Sequence, residues 1–444
     1  MTRERKIRIL LWAYFWLLIF EGALRKWFLP GLSNPLLVVR DPICILAIAI
    51  GWPYLLQTSL RPWLVVLGVI GFLGVVSALL VGHGDWLTAA FGVRILLLHF
   101  PLIFLFAAVF TRDDLWTFAR WTLLVSIPMT ILIAMQFSLP STHFINVAPG
   151  GEGTAGFSGA MGKLRPPGTF SFISGLSSFY GLAAAFFAGW MACGPRPLPK
   201  WIWISAACLI FALPVSISRT LFFYYALVAC GTIMAGLLAG RALRGLATSL
   251  VVLTIFVITL SQLEFFQEAR DVFLQRWQNA QASEAADAGV SGILTKRIGG
   301  SVLTAIQMAW SSEPMGKGIG LATNVGAMRA TGQKEFLIAE GALPAMIGEL
   351  GPLLGFALIL WRVMLAARLT MLAFVQGLKS NPLPMILGGI ALQGLVIGQT
   401  SQPTALGFIV VCAGLMLAAC NPALEMIHQS VSTFRFSEQQ HDHV

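Results

Sequence analysis

The residues of this chain best suited to chemistry are a few arginines beside hydroxyls and a few carboxylates, set in an apolar background. Arg219 lies in Ser216-Ile217-Ser218-Arg219-Thr220, where one apolar run stops and the next begins at once. The guanidinium is a planar, two-pronged donor that matches phosphate and carboxylate oxygens. An arginine ringed by hydroxyls at a membrane boundary therefore suits an anion, although the same placement suits a snorkelling side chain at a helix end. Arg165, in Leu164-Arg165-Pro166-Pro167-Gly168-Thr169-Phe170, also directly precedes an apolar run. Arg40, in Arg40-Asp41-Pro42, is a third candidate, with a structural ion pair at a helix start as the alternative. Arg94 falls about two turns inside an apolar run, with His99 one turn deeper. Ionisable groups at such depth are functional candidates, but a lone histidine there is more often a packing residue. Arg297, in the polar stretch ILTKRIGG, completes the set of candidate substrate-binding cations.

Among carboxylates, Glu335, Glu340 and Glu349 cluster in KEFLIAEGALPAMIGELGPLLG. A buried carboxyl beside a cavity can serve as a general base, which makes Glu340 and Glu349 the catalytic candidates. Glu340 stands nearer the aqueous side. The structural alternatives are a solvated Glu340 and a Glu349 paired with an arginine. No phosphate-binding Walker loop, His-Glu-x-x-His, Gly-x-Ser-x-Gly elbow or Asp-x-Asp pair occurs. Gly316-Lys317-Gly318-Ile319-Gly320 follows no strand, so it is not a dinucleotide fingerprint. No cofactor and no bound metal are expected. The six cysteines lie in or at the ends of apolar runs without ligand spacing, as small core residues do.

What must position these residues is a membrane fold. Of 444 residues 57% are hydrophobic and 11% charged, against about 25% charged in soluble domains; mean hydropathy is +0.80. Apolar runs near 20 residues long predict an all-α, polytopic integral membrane protein, and their continuity excludes an alternating β-barrel. Twelve spans are expected, at 8–24, 42–57, 62–82, 87–109, 116–139, 171–193, 201–217, 221–240, 246–263, 342–361, 383–400 and 405–420. The basic N-terminus lacks a cleavage site and reads as the inner flank of a retained first span. With it inside, the inner connections carry Arg61; Arg112 and Arg120; Arg196 and Lys200; Arg241 and Arg244; then Arg362, Arg368 and Lys379. Both termini then face the cytoplasm, and the net charge of +10 reflects inner loops rather than nucleic-acid binding.

Residues 264–341 are the one long polar break, with 15 of the 48 charged residues. Connections this long are commonly functional. Residues 264–280 carry a helical apolar stripe, 281–292 are small and polar, and 293–312 repeat the amphipathic pattern before Glu313-Pro314 ends it. The segment is expected to be a folded lid on the outer face. The chain thus divides into nine spans (1–263), the insert (264–341), three spans (342–420) and an inner tail (421–444).

In sequence order, RPPGTF before a span, SISRT between two spans, one large late outer insert and its closing pattern EPMGKGIGLATN…EFLIAEGALPAMIGELGPLLG resemble the O-antigen polymerase and O-antigen ligase superfamily of bacterial inner-membrane proteins. EGALRKWFLPGLSNPLLVVRDP also looks like exopolysaccharide-cluster members of that group. The resemblance implies a periplasmic-face glycosyltransferase that takes a glycan from undecaprenyl pyrophosphate and joins it to a glycan acceptor. Outer arginines, here Arg165 and Arg219, would hold the diphosphate, and a base near the insert's end would activate the acceptor hydroxyl. Its partners would be the lipid-linked donor, the acceptor, membrane lipids and, as a candidate, a chain-length regulator. Ligases typically place a histidine before the ELG-like turn; residues 264–341 contain none, which favours a polymerase. The alternatives are a ligase to lipid A core, a lipid-linked oligosaccharide flippase or other carrier, and a non-enzymatic envelope scaffold.

Overall fold

The computed structural model describes residues 1–57, 61–151, 153, 159–239, 254–284, 299–332, 337–339 and 341–421. Its elements are α1 (Arg3–Ala23), α2 (Arg40–Gln57), α3 (Arg61–Leu80), α4 (Trp86–Val109), α5 (Arg112–Ser138), α6 (Ile173–Cys193) and α7 (Trp201–Val215). There follow α8 (Arg219–Ala239), α9 (Glu264–Glu284), α10 (Gly300–Ser311), α11 (Asn324–Thr331), α12 (Ala342–Leu378), α13 (Leu383–Ile397) and α14 (Pro403–Ala419). No strand occurs among the described residues. Among the described residues eight helices are long and apolar enough to cross a membrane, and α7, α13 and α14 are shorter apolar helices. These overlap eleven of the expected spans; of the other, 246–263, residues 254–263 are described and 254–260 are helical.

Hydrogen bonds sort the connections between two ends of the bundle. At one end Arg8 donates to the Val109 carbonyl at 2.8 Å and pairs with Asp114 at 3.1 Å, while Asn421 donates to Ala107 at 3.1 Å. Thr111 and Asp114 there form a reciprocal capping box that starts α5. At the opposite end Ser77 donates to Met315 at 2.8 Å, and Lys26 donates to Gly168 and Phe170 at 2.6 and 2.9 Å. Lys26 belongs to the π-helical turn Leu24–Phe28 that prolongs α1, and Arg94 opens a second π turn, Arg94–Leu98, inside α4.

The amphipathic stripe of 264–280 becomes α9, and its apolar face packs on other helices. Phe265 stacks on Phe211 of α7 at 5.5 Å and meets Phe137 of α5 at 5.4 Å; Trp277 sets its edge to Phe222 of α8 at 5.3 Å. Glu268 pairs with Lys163 at 2.8 Å, fixing the helix to the loop before α6. The second stripe becomes α10, whose buried Ala305 clusters with Leu343 and Ile347 of α12.

α12 corrects one expectation. Arg362 and Arg368 are expected in an inner loop, yet both lie inside a helix that runs on to Leu378, and Arg362 is 1% exposed. The cause is a kink at Gly351 (φ 75°, ψ 171°), a conformation that side chains other than glycine's rarely adopt, followed by Pro352. The kink makes Ala342–Leu350 a separate arm, so the long apolar stretch begins later than hydropathy suggests. Arg362 donates instead to the carbonyls of Leu395, Gly394 and Gly398 at 2.6, 3.0 and 2.8 Å, at the C-terminal end of α13. Cations are favoured at that end of a helix.

Candidate functional site

Three arginines converge on one cavity. Arg165, Arg219 and Arg276 line it with Ile173, Ser174, Ser177, Ile217, Ser218 and Thr220, around a volume of about 110 Å³. Each element contributes for a local reason. α7 stops at Val215 and α8 starts at Arg219, so the elbow between them has three residues. Ile217 takes φ +49° with 0% exposure. A β-branched residue in that region is strained, and such strain persists only where the surroundings fix it. Ser218 accepts from the Leu221 amide at 3.3 Å, capping α8, and shares a 2.8 Å hydrogen bond with Ser177 near the start of α6. Two helix N-termini therefore border the cavity, each with a positive partial charge.

Arg165 arrives on the turn before α6. That turn is riveted from behind: besides Lys26, Gln136 accepts from the Gly168 amide at 2.8 Å, and Thr169 donates to Ile19 at 2.6 Å. Burial, then the charges of Arg276 and Arg219, pull the Arg165 guanidinium down to about 10. Like charges this close oppose one another, and a nearby anion would relieve that repulsion.

Arg276 was missed in the sequence. It comes from α9, on the face of buried Phe266, Ala269 and Val272, and reaches the Gly159 carbonyl at 3.5 Å. Spacings of three and four residues put position 276 on that inward stripe, but the stripe had been counted over apolar residues only. No protein-family model matches this chain, and no curated protein is significantly similar to it.

The other candidates lie elsewhere. Arg40 does not pair with Asp41 but with Glu21 at 2.9 Å, and it also donates to Tyr14 at 3.3 Å and to the Pro403 carbonyl at 2.8 Å. Asp41 instead pairs with Arg94 at 2.5 Å, with His99 Nε2 3.2 Å from its other oxygen, and Arg94 donates to Leu37 at 2.6 Å. Tyr14 joins His99 Nδ1 at 2.9 Å and closes the chain of contacts. Neither Arg40 nor Arg94 lines the arginine cavity.

Glu349 is 3% exposed, and its Oε1 accepts from the amides of Gly320 and Ala322, both at 2.8 Å. Its partners are thus backbone donors rather than an arginine. The turn it holds needs positive φ at Gly316, Gly318 and Gly320 (70°, 101° and 98°), which explains the glycine spacing in the sequence. Arg329 of α11 pairs with Asp85, the residue capping α4, at 2.6 Å, and this contact holds the Asp85 carboxyl well below the usual range. Glu335, Glu340 and Arg297 lie outside the described residues.

Proposed function

We propose that this protein is a glycosyltransferase of the bacterial inner membrane with twelve crossings, polymerising or ligating glycan units carried on a polyprenyl diphosphate at the periplasmic face. The observation that carries this reading is the convergence of Arg165, Arg219 and Arg276 with Ser174, Ser177, Ser218 and Thr220 around one small cavity. Three fixed cations, two helix N-termini and several hydroxyls suit a diphosphate at a membrane boundary. The resemblance of RPPGTF and SISRT to the O-antigen polymerase and ligase superfamily supports the same ligand.

In this reading the acceptor hydroxyl oxygen attacks the anomeric carbon of the donor sugar, and the bond from that carbon to the diphosphate oxygen breaks. The hydroxyl proton passes to a carboxylate. The polyprenyl diphosphate leaves with the bonding electrons, its charge met by the arginines; preorganised stabilisation of this kind is commonly the largest catalytic term. Glu340 takes the base role, while Glu349 holds the turn that closes the polar segment. The test is polymer formation by the purified protein in vesicles containing lipid-linked repeat units. Unchanged activity in Arg219→Ala would refute the assignment.

A further inference from the structure

Beside the arginine cavity lies a polar turn that the diphosphate reading does not use. Gly398-Gln399-Thr400-Ser401-Gln402 connects α13 to α14. These helices have 15 and 17 residues, or lengths of about 22 and 26 Å, less than the roughly 30 Å of a hydrocarbon core. Their far ends sit at one end of the bundle, where Asn381 donates to Ala419 at 3.1 Å. The turn between them is therefore recessed at the opposite end. Irregular backbone at such depth is tolerated where it is buried in protein or lines a hydrated cavity.

The turn is also fixed at both edges by buried cations. Arg362 donates to Gly398 and to the last carbonyls of α13, while Arg40 donates to Pro403 at 2.8 Å. Its link to the cavity is direct: Ser174, which lines the cavity, donates to Gln402 Oε1 at 2.9 Å. Just before the turn, Gln393 of α13 has a buried amide oxygen with no hydrogen-bond partner among the described residues. An unmet buried acceptor is costly, and a ligand or water hydroxyl would satisfy it. The chemistry contrasts with that next door, with amides and hydroxyls in place of guanidinium groups.

We infer that the 398–402 turn is a glycan subsite, binding hydroxyls of the sugar attached to the diphosphate held by the arginines. The inference rests on the diphosphate reading of the cavity. Amides and hydroxyls donate and accept at once, as sugar hydroxyls do, and a neutral site beside a cationic one fits a neutral glycan beside a charged leaving group.

The experiment measures binding of two probes to the purified full-length protein: geranylgeranyl diphosphate, and the same lipid diphosphate bearing one sugar. The expected result is tighter binding of the glycosylated probe by wild type. Thr400→Val and Ser401→Ala should each cut that preference by about 5- to 10-fold, the worth of one neutral hydrogen bond. Two substitutions guard against one failing to fold. Equal affinity of wild type for the two probes, or a preference untouched in both variants, would overturn the subsite and leave the diphosphate reading intact. Failure of wild type to bind either probe would overturn both.

Discussion

Ser177 and Ser218 share a 2.8 Å hydrogen bond that joins the start of α6 to the residue capping α8. This contact sets the two segments carrying Arg165 and Arg219 side by side although they lie far apart in sequence. The site is thus built at a junction of helix starts, where backbone N–H groups, hydroxyls and guanidinium groups share one direction of charge.

Arginine geometry gives the first prediction. Arg219→Lys keeps the charge but loses the forked donor pair, and loss of one such stabilising donor costs on the order of 100-fold in rate. Polymer formation should fall by that factor while expression and membrane insertion stay normal. Arg276→Lys should behave alike, and an Arg276 variant of full activity would remove α9 from the site. On the proposed mechanism fixed cations meet the leaving charge, so the wild-type rate should survive EDTA.

The Arg165 proton gives a second. In the free protein its guanidinium is lowered to about 10 by burial and by Arg276 and Arg219. A bound anion favours the charged form, so binding above that pH must take up a proton. Affinity for a lipid diphosphate should be level between about pH 7 and 9 and fall as pH rises through about 10. The sign for folding is opposite: a cation lowered in the folded state costs stability below that pH, and the cost fades above it. An affinity that rises above pH 10 would contradict the assignment.

Glu349 and Glu340 separate in a third experiment. Glu349→Gln keeps an acceptor oxygen for the Gly320 and Ala322 amides, so it should retain most activity. Glu349→Ala leaves two buried donors unmet and should lower stability by about 2–4 kcal/mol, read as a lower unfolding temperature in detergent. Glu340→Gln should abolish transfer without lowering that temperature. An inactive but stable Glu349→Gln would exchange the two roles.

Arg94 supplies a fourth, through stability alone. Removing Arg94 leaves Asp41, whose side chain is 13% exposed, with only His99 beside it, which costs about 1–3 kcal/mol. Arg94→Met should unfold earlier, and its folded fraction should bind a lipid diphosphate as wild type does. A weaker affinity at full stability would return Arg94 to the binding site.

Topology can be checked directly. A reporter fused at residue 290 should read periplasmic and one at Lys379 cytoplasmic. The reverse result would place the arginine cavity on the wrong face.

The membrane fold was legible because lipid demands long apolar runs, and Arg165 and Arg219 stood out because charge is scarce there. Depth was harder to read. A window average cannot see the Gly351 kink, so Arg362 looked like a loop residue. Nor can it tell a cation that lines a cavity from one held by a carboxylate, as Arg40 is by Glu21 and Arg94 by Asp41. Arg276 was hidden for another reason. In a helix full of charge, one arginine on the inward stripe differs from its neighbours Arg270 and Asp271 only by its angle around the axis.

The bonds of Arg362 also bear on how the chain enters the membrane. An arginine at the centre of an isolated span costs roughly 2.5–3.5 kcal/mol to insert. Its acceptors, the carbonyls of Gly394, Leu395 and Gly398, are synthesised more than thirty residues later. α12 therefore leaves the ribosome without the groups that neutralise its buried charge. That cost is lifted only once α13 has been made and the two helices pair.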